Sequence, residues 1–117
     1  MCGIIGYAGS GDAPQILIEA LKRLEYRGYD SAGIAVQENG GLAIHKKQGR
    51  IAVMEESLPK FRATVGIGHT RWATHGEPSD VNAHPQVDSS GDIAVIHNGT
   101  LENYADLRSR MEAEGIE

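Results

Sequence analysis

The feature that most restricts the possible folds is a predicted β-hairpin in the first half of the chain. Residues Ser31–Gln37 and Leu42–Lys47 each have the pattern of a strand, and the turn sequence Asn39-Gly40-Gly41 separates them. An Asn-Gly pair between two such runs is a strong hairpin signal, because both residues tolerate the positive φ angles of a tight turn. The chain is therefore expected to contain an antiparallel sheet.

Further strands and helices are predicted on both sides of this hairpin. Residues 3–9 have the pattern of a buried strand, and a helix is expected from about Ala13 to Leu24, because leucines recur there at i, i+4 and i+7. Asp12 and Gln15 resemble a capping box at its start. The later predicted elements are a weaker helix over Arg50–Leu58, strands over Val65–Thr70 and Asp92–His97, and a helix that begins at Asn103, turns Leu107 and Met111 to the core and ends at Gly115.

Composition excludes several classes of protein. The chain has 117 residues, and its 11 basic and 16 acidic side chains give a net charge of −5, without the basic surface of a nucleic-acid-binding protein. Its single cysteine excludes an intrachain disulfide and is typical of a reducing compartment. The sequence shows neither a signal peptide nor an apolar run of membrane-spanning length, so a cytoplasmic protein is expected.

Five histidines raise the question of a metal site. They do not have the i, i+4 helical spacing of a metalloprotease motif, and no second cysteine is present to complete a zinc clamp. We therefore predict neither a bound metal nor another cofactor.

Cys2 is a candidate nucleophile. If Met1 is removed, one residue carries both a thiol and a free α-amine, with reference pKa values of about 8.5 and about 7.7–8.0. The amine can then accept the thiol proton near neutral pH, as it does in N-terminal nucleophile enzymes. The alternative is that Cys2 is a small apolar residue of a buried strand, because free cysteines are commonly buried and inert.

Other polar residues gather where the predicted strands end. Arg71 ends one strand and can offer a bidentate fork to a carboxylate, or can form a surface ion pair. Asn98 and Gly99 end another strand and can form an oxyanion hole from an amide and a backbone N–H, or can be only a turn. Since a rigid sheet presents functional groups on loops at its strand ends, we interpret these residues and Cys2 as one candidate site.

Five stretches of the sequence resemble one known family. They are Cys2-Gly3-Ile4-Ile5-Gly6, the run from Arg23 to Gly33, the run from His69 to Gly76, Asn82-Ala83-His84-Pro85 and His97-Asn98-Gly99. In this order and spacing they resemble the class II glutamine amidotransferases, and within them the enzymes that aminate fructose-6-phosphate. The resemblance implies an α+β fold, the first part of the four-layer α/β/β/α sandwich of N-terminal nucleophile hydrolases, with two antiparallel sheets.

The resemblance also implies roles for the matching residues. Cys2 would attack the side-chain amide of glutamine and form a γ-glutamyl thioester, with Arg27 supporting the nucleophile from nearby. Asn98 and the Gly99 N–H would hold the oxyanion. The implied substrate-binding residues are Arg71 on the glutamine α-carboxylate, Thr74 and His75 in a loop that closes over the substrate, and Trp72 where ammonia leaves.

Some partners implied by the resemblance lie outside this sequence. Residues 1–117 would form about half of a glutaminase domain, whose remainder supplies an acidic residue for the glutamine α-amino group. Sugar-isomerising domains would pass the ammonia to fructose-6-phosphate for amino sugar synthesis. The whole protein would be a cytoplasmic homodimer that binds neither nucleic acid nor a membrane. Two alternatives stay open: the amidotransferase region of a phosphoribosyltransferase or asparagine synthetase, and an inactive module that binds glutamine or a partner chain.

Overall fold

A sheet of four antiparallel strands dominates the fold. The computed structural model describes residues 2–27, 30–72, 82–99 and 101–116, and of Arg27 it describes only the backbone. The strands are β1 (Gly3–Ala8), β2 (Ser31–Glu38), β3 (Gly41–Gln48) and β4 (Val65–Arg71), and they lie in the order β1-β4-β2-β3. The predicted hairpin is confirmed, because β2 pairs with β3 through a turn in which Asn39 and Gly40 have φ angles of 51° and 78°.

Helices cover one face of this sheet. Helix α1 (Ala13–Leu24) packs on β1, β4 and β2, and the short helix α2 (Ile51–Glu56) packs beside it on β3 and β2. The fully buried core residues are Ala13, Leu17, Ile18 and Leu21 from α1, Ala32, Ile34 and Val36 from β2, and Ile51 and Met54 from α2. Every second residue of β2 enters this core, as the pleat of a strand requires. Burying one large apolar side chain contributes about 1.5–3 kcal/mol, so this layer holds most of the apolar stabilisation.

The bounds of α1 agree with the prediction, but its capping does not. Asp12 precedes the first helical residue and Pro14 lies in the first turn, yet the Asp12 side chain accepts no capping hydrogen bond. Gln15 Nε2 instead donates to Glu19 Oε1 at 3.0 Å. The predicted capping box is therefore wrong, because the Gln15 side chain bonds one turn further along the helix.

Helix α2 is shorter than the predicted Arg50–Leu58. Its start is fixed by a side chain from outside the helix, since the Glu25 carboxylate accepts the Ile51 N–H at 2.8 Å. Glu25 lies in a single 3-10 turn, Glu25–Arg27, that follows α1. A helix N-terminus favours a negative charge, so this contact anchors α2 to the end of α1.

The opposite face of the four-stranded sheet carries a smaller layer. Strands β5 (Gln86–Val87) and β6 (Ala94–Val95) form an antiparallel pair. The predicted strand Asp92–His97 is thus correct in its position but wrong in its length. Asp92 and Ile93 belong to the preceding turn, because both donate their N–H groups to Asp88 Oδ1 at 3.0 Å.

The last described helix, α3 (Tyr104–Ala113), follows Asn103 and ends before Gly115, as predicted. None of its residues is buried, and Met111 is 47% exposed. The expectation that Leu107 and Met111 face the core is therefore wrong. Leu107 and Met111 lie one turn apart on α3, but the described part of the chain does not bury them.

Candidate active site

Cys2 lies where the first strand begins and β4 ends. In the register of the sheet Gly3 pairs with Thr70, and the Gly3 N–H also donates to Thr70 Oγ1 at 3.2 Å. One residue further out, the Trp72 N–H donates to Cys2 Sγ at 3.4 Å, and the thiol lies 3.8 Å from the Trp72 carbonyl oxygen. The backbone at the end of β4 therefore fixes the position of a partly exposed thiol.

Asn98 reaches the same point from the smaller layer. Its Nδ2 donates to the Cys2 carbonyl oxygen at 3.2 Å, across 96 positions of sequence. An amide nitrogen carries two N–H groups, so a second donor remains for another acceptor beside the thiol. The next residue, Gly99, has a φ of 137°, a conformation that side chains rarely adopt. A thiol and an amide donor thus meet at one end of the sheet.

His69 is a further member of this cluster. Its side chain is 1% exposed, and its Nε2 lies 2.8 Å from Asn98 Oδ1. The His69 ring also stacks on the ring of His84, with 4.6 Å between centroids and a tilt of 35°. Neither ring has a hydrogen-bond partner for its buried Nδ1 atom among the described residues. The sequence shows only that His69 lies two positions before Arg71, so both side chains share a face of β4.

The two stacked histidines are neutral at pH 7. Burial lowers the pKa of His69 from 6.5 to about 4, despite the opposing hydrogen bond that its Nε2 donates to Asn98, and the nearby His84 and Arg71 lower it further. Burial is also the main cause that lowers the pKa of His84, followed by the charges of Arg71 and Lys46 and by His97. A cationic imidazole would be disfavoured here because it would lose hydration in a region that already holds a guanidinium.

Arg71, the last residue of β4, is largely buried and 8% exposed. Its Nη1 donates to the Asn82 carbonyl oxygen at 3.2 Å. Lys46 fixes the same segment from β3, since its Nζ donates to the carbonyl oxygens of Ala83 at 3.1 Å and Pro85 at 3.4 Å. Residues 82–85 thus lie across the sheet, bound to cations from two strands.

This segment approaches the sheet closely because residue 33 is glycine. A methyl group on Gly33 would collide with the His84 carbonyl oxygen and with the Lys46 side chain. The close approach brings the His84 ring onto His69. The sequence run that ends in Gly33 therefore contributes to the site through packing. Because Gly33 has no side chain, the segment with His84 can lie against the sheet.

No protein-family model matches the chain, but curated relatives do. The isomerizing glutamine–fructose-6-phosphate aminotransferase of Caldanaerobacter subterraneus is 57% identical over 117 positions, which cover 98% of this chain and 19% of that protein. The proteins of the same name from Mycolicibacterium smegmatis and Aquifex aeolicus are each 52% identical, over 100% and 99% of this chain and 20% of their own lengths. The chain therefore spans about a fifth of the length of these relatives.

Solved structures share the fold. The glutamine phosphoribosylpyrophosphate amidotransferase from B. subtilis, complexed with ADP and GMP, superposes with a TM-score of 0.81 at 32% identity, over 98% of this chain and 25% of that one. An allosteric regulatory enzyme of purine biosynthesis superposes with a TM-score of 0.84 at 33% identity, over 98% and 26% of the two chains. Over nearly its whole length the chain is thus similar to the start of glutamine–fructose-6-phosphate aminotransferases and to a glutamine amidotransferase.

The fold expected for a class II amidotransferase is confirmed. The described residues form the first part of an N-terminal nucleophile hydrolase fold, with helices on one face of an antiparallel sheet and a second antiparallel sheet on the other. Among the described residues, no group of three or more histidine, cysteine or acidic side chains is placed to hold a metal ion. No helix in those ranges is long and apolar enough to cross a membrane.

The site residues predicted from the sequence are only partly described by the structure. The structure brings Cys2, Asn98 and Gly99 together, and it places Trp72 beside them with 46% of its surface exposed. Arg71 ends the same strand and contacts Asn82. Thr74, His75 and the side chain of Arg27 lie outside the described residues. The catalytic and binding roles of all these residues stay predictions.

Proposed function

We propose that this chain carries the glutaminase site of an isomerizing glutamine–fructose-6-phosphate aminotransferase. The observation that supports it most directly is the junction of Cys2 with Asn98, whose amide donates to the carbonyl of the nucleophilic residue at 3.2 Å. Thiol and amide donor are the two groups that amide hydrolysis by a cysteine requires: a nucleophile, and a donor for the charge that develops on the substrate oxygen.

The reaction begins once Met1 has been removed. The free α-amine of Cys2 takes the thiol proton, and the sulfur attacks the side-chain carbonyl carbon of glutamine. The carbonyl oxygen becomes an oxyanion, which accepts hydrogen bonds from Asn98 Nδ2 and the Gly99 N–H. The α-ammonium group then returns the proton to the leaving nitrogen, so the C–N bond breaks and ammonia and a γ-glutamyl thioester are formed. Water attacks the thioester, with the amine again as base, and releases glutamate and the thiol.

The remaining predicted residues bind the substrate or hold the nucleophile. Arg71 pairs with the glutamine α-carboxylate, because a guanidinium presents two parallel N–H donors to a carboxylate. Thr74 and His75 belong to the loop that closes over glutamine, and Trp72 lies on the route by which ammonia leaves. Arg27 supports Cys2 from close by.

The ammonia acceptor in this proposal is fructose-6-phosphate, and the product enters amino sugar synthesis. The relatives that carry this acceptor in their name are 52–57% identical to the chain, whereas the purine-pathway structures are 32–33% identical. The proposal further assigns a synthase region for the sugar phosphate, a homodimer and a cytoplasmic location. The lower identity disfavours a phosphoribosyltransferase type of acceptor, and an asparagine synthetase type stays a further alternative.

The proposal is tested with the protein produced from the complete reading frame that encodes this sequence. Three forms are compared for release of glutamate from glutamine: Met1 removed, Met1 retained and Cys2→Ala, each confirmed by mass. We expect turnover in the first form only, with a loss of more than about 10⁴-fold in Cys2→Ala. Fructose-6-phosphate should raise the rate and accept the nitrogen. If the wild-type protein also uses added ammonia, that synthesis should survive in Cys2→Ala.

Each component of the proposal has its own contrary result. Glutaminase turnover in Cys2→Ala would exclude Cys2 as the nucleophile. Equal rates with and without Met1 would exclude the α-amine as the base. Turnover of glutamine without any transfer to fructose-6-phosphate would leave a glutaminase whose acceptor has been assigned wrongly.

A further inference from the structure

The His69–Asn98 contact is a feature that the proposed reaction does not yet use. His69 is buried on β4, whereas Asn98 is exposed on a segment whose neighbours are also largely exposed. Two hydrogen bonds hold the Asn98 amide: one to the Cys2 carbonyl oxygen at 3.2 Å and one to His69 Nε2 at 2.8 Å. An exposed amide has no apolar packing that fixes its rotation, so these bonds determine where its N–H groups point.

The pattern of donors and acceptors fixes the chemistry of both groups. The Cys2 carbonyl can only accept, so Nδ2 of Asn98 faces it and Oδ1 faces His69. Since Oδ1 can only accept, Nε2 of His69 carries a proton. Nδ1 of His69 accepts no hydrogen bond among the described residues, so the contact with Asn98 is the polar role that the structure gives to this ring.

We propose that His69 is a positioning residue for the oxyanion hole: its Nε2–H holds Asn98 Oδ1, so that Asn98 Nδ2 gives one N–H to Cys2 and presents the other to the substrate oxyanion. This inference rests on the proposed glutaminase function. Rotation of the amide by a half turn would place Oδ1, which cannot donate, beside the developing negative charge. His69 thus excludes the orientation of Asn98 that would oppose catalysis.

A neutral histidine suits this role. The stack with His84 and the nearby Arg71 guanidinium disfavour a second ring proton, consistent with the lowered pKa of His69. The ring therefore donates from Nε2 and keeps an unprotonated Nδ1 over the working pH range. Because His69 belongs to β4, its hydrogen bond ties the Asn98 side chain, which lies on the less buried layer, to the four-stranded sheet.

The test uses the protein from the complete reading frame, with Met1 removed, and measures kcat and KM for glutamine hydrolysis. His69→Phe keeps an aromatic ring against His84 but lacks the donor, and we expect kcat to fall roughly tenfold or more with KM changed less than about threefold. His69→Gln places an amide N–H near the position of Nε2, and it should recover most of the rate. In an Asn98→Ala background, His69→Phe should cause little further loss, because the residue acts through Asn98.

Other results would overturn the role of His69. An unchanged kcat in His69→Phe would do so, and so would an equal loss of kcat in the wild-type and Asn98→Ala backgrounds, which indicates general structural damage. If His69→Phe does not fold, ¹⁵N NMR of the wild-type imidazole at pH 7 decides: a neutral Nε2–H ring supports the proposal, and an Nδ1–H ring or an imidazolium overturns it. A wild-type protein without glutaminase turnover would instead remove the proposed function, and this inference with it.

Discussion

The two halves of the described chain are held by different forces. In residues 2–72 the large side chains Leu17, Ile34 and Met54 are fully buried between helices and sheet. In residues 82–116 the apolar side chains of Ile93, Val95 and Leu101 are 60%, 54% and 55% exposed. The first half is stabilised by apolar packing, whereas the second is joined to it by the buried residues Ala83 and Pro85 and by hydrogen bonds from the sheet.

The candidate site spans this division. Cys2, His69 and Arg71 belong to the well-packed half, and Asn98 and Gly99 belong to the exposed half. A hydrogen bond contributes about 0.5–1.5 kcal/mol net, less than one buried leucine. Polar contacts of modest strength therefore determine the distance between the Cys2 thiol and the Asn98 amide, and we expect stability and catalysis to depend on different halves.

The largest expected effect is on stability. It is tested by making the same change, leucine to alanine, once in each half. Leu21→Ala removes a side chain that is fully buried in the core and should lower the free energy of unfolding by about 2–5 kcal/mol. Leu101→Ala removes a side chain that is 55% exposed and should cost less than about 1 kcal/mol. Urea unfolding of both variants measures the difference. Equal losses would show that the second half is as well packed as the first.

The next effect is on catalysis, and here a residue of the exposed half is expected to matter most. Asn98→Ala should reduce kcat for glutamine hydrolysis by about 10²–10³-fold, because an oxyanion donor acts mainly in the transition state. Its free energy of unfolding should fall by only about 1–3 kcal/mol, because His69 Nε2 is left buried without its acceptor. Steady-state kinetics and thermal unfolding of the same preparation test both statements. A rise in KM with kcat unchanged would instead make Asn98 a binding residue.

Acid should weaken the junction between the halves. The pKa of His69 falls from 6.5 to about 4 on folding, and that of His84 is also lowered. Between these pH values the unfolded chain binds more protons, so the free energy of unfolding falls as pH drops from about 6.5 to about 4, by up to about 3 kcal/mol from His69. Urea unfolding at several pH values measures the slope. His69→Gln should flatten it, and an unchanged slope would locate the proton uptake elsewhere.

Arg71→Lys should have the smallest effect. Lysine keeps the charge but loses the planar fork, so KM for glutamine should rise by about tenfold while kcat falls less. The Nη1 contact with Asn82 is also lost, and a thermal unfolding measurement separates that structural effect from binding. An unchanged KM would remove Arg71 from the carboxylate site.

The sequence predicted best those elements whose apolar residues find their partners nearby. Helix Ala13–Leu24 and the hairpin around Asn39 were confirmed because periodicity and turn chemistry act locally. Leu107 and Met111 were misassigned because the same periodicity occurs in a helix that buries nothing in the described chain. A periodic pattern shows that a helix has an apolar stripe, but not which surface covers it.

The site was predictable to a similar extent. Cys2 and Asn98 were candidates because of their chemistry and their places at strand ends, each with a purely structural alternative, and the resemblance then assigned them to one site. His69 was not selected as a site residue, because its importance depends on a partner 29 positions away and on burial under residues 82–85. Such a role follows from the packing of β4 and has no local signature.

The hydrogen bond from Asn98 to the Cys2 carbonyl has a mechanical consequence. Because the amide donor is anchored to the peptide unit of Cys2 itself, a displacement of the strand end carries the thiol and the amide in the same direction. The separation between sulfur and donor then varies less than the position of either. A thiol and an amide that are anchored to one backbone unit keep their alignment even when the exposed layer around them shifts.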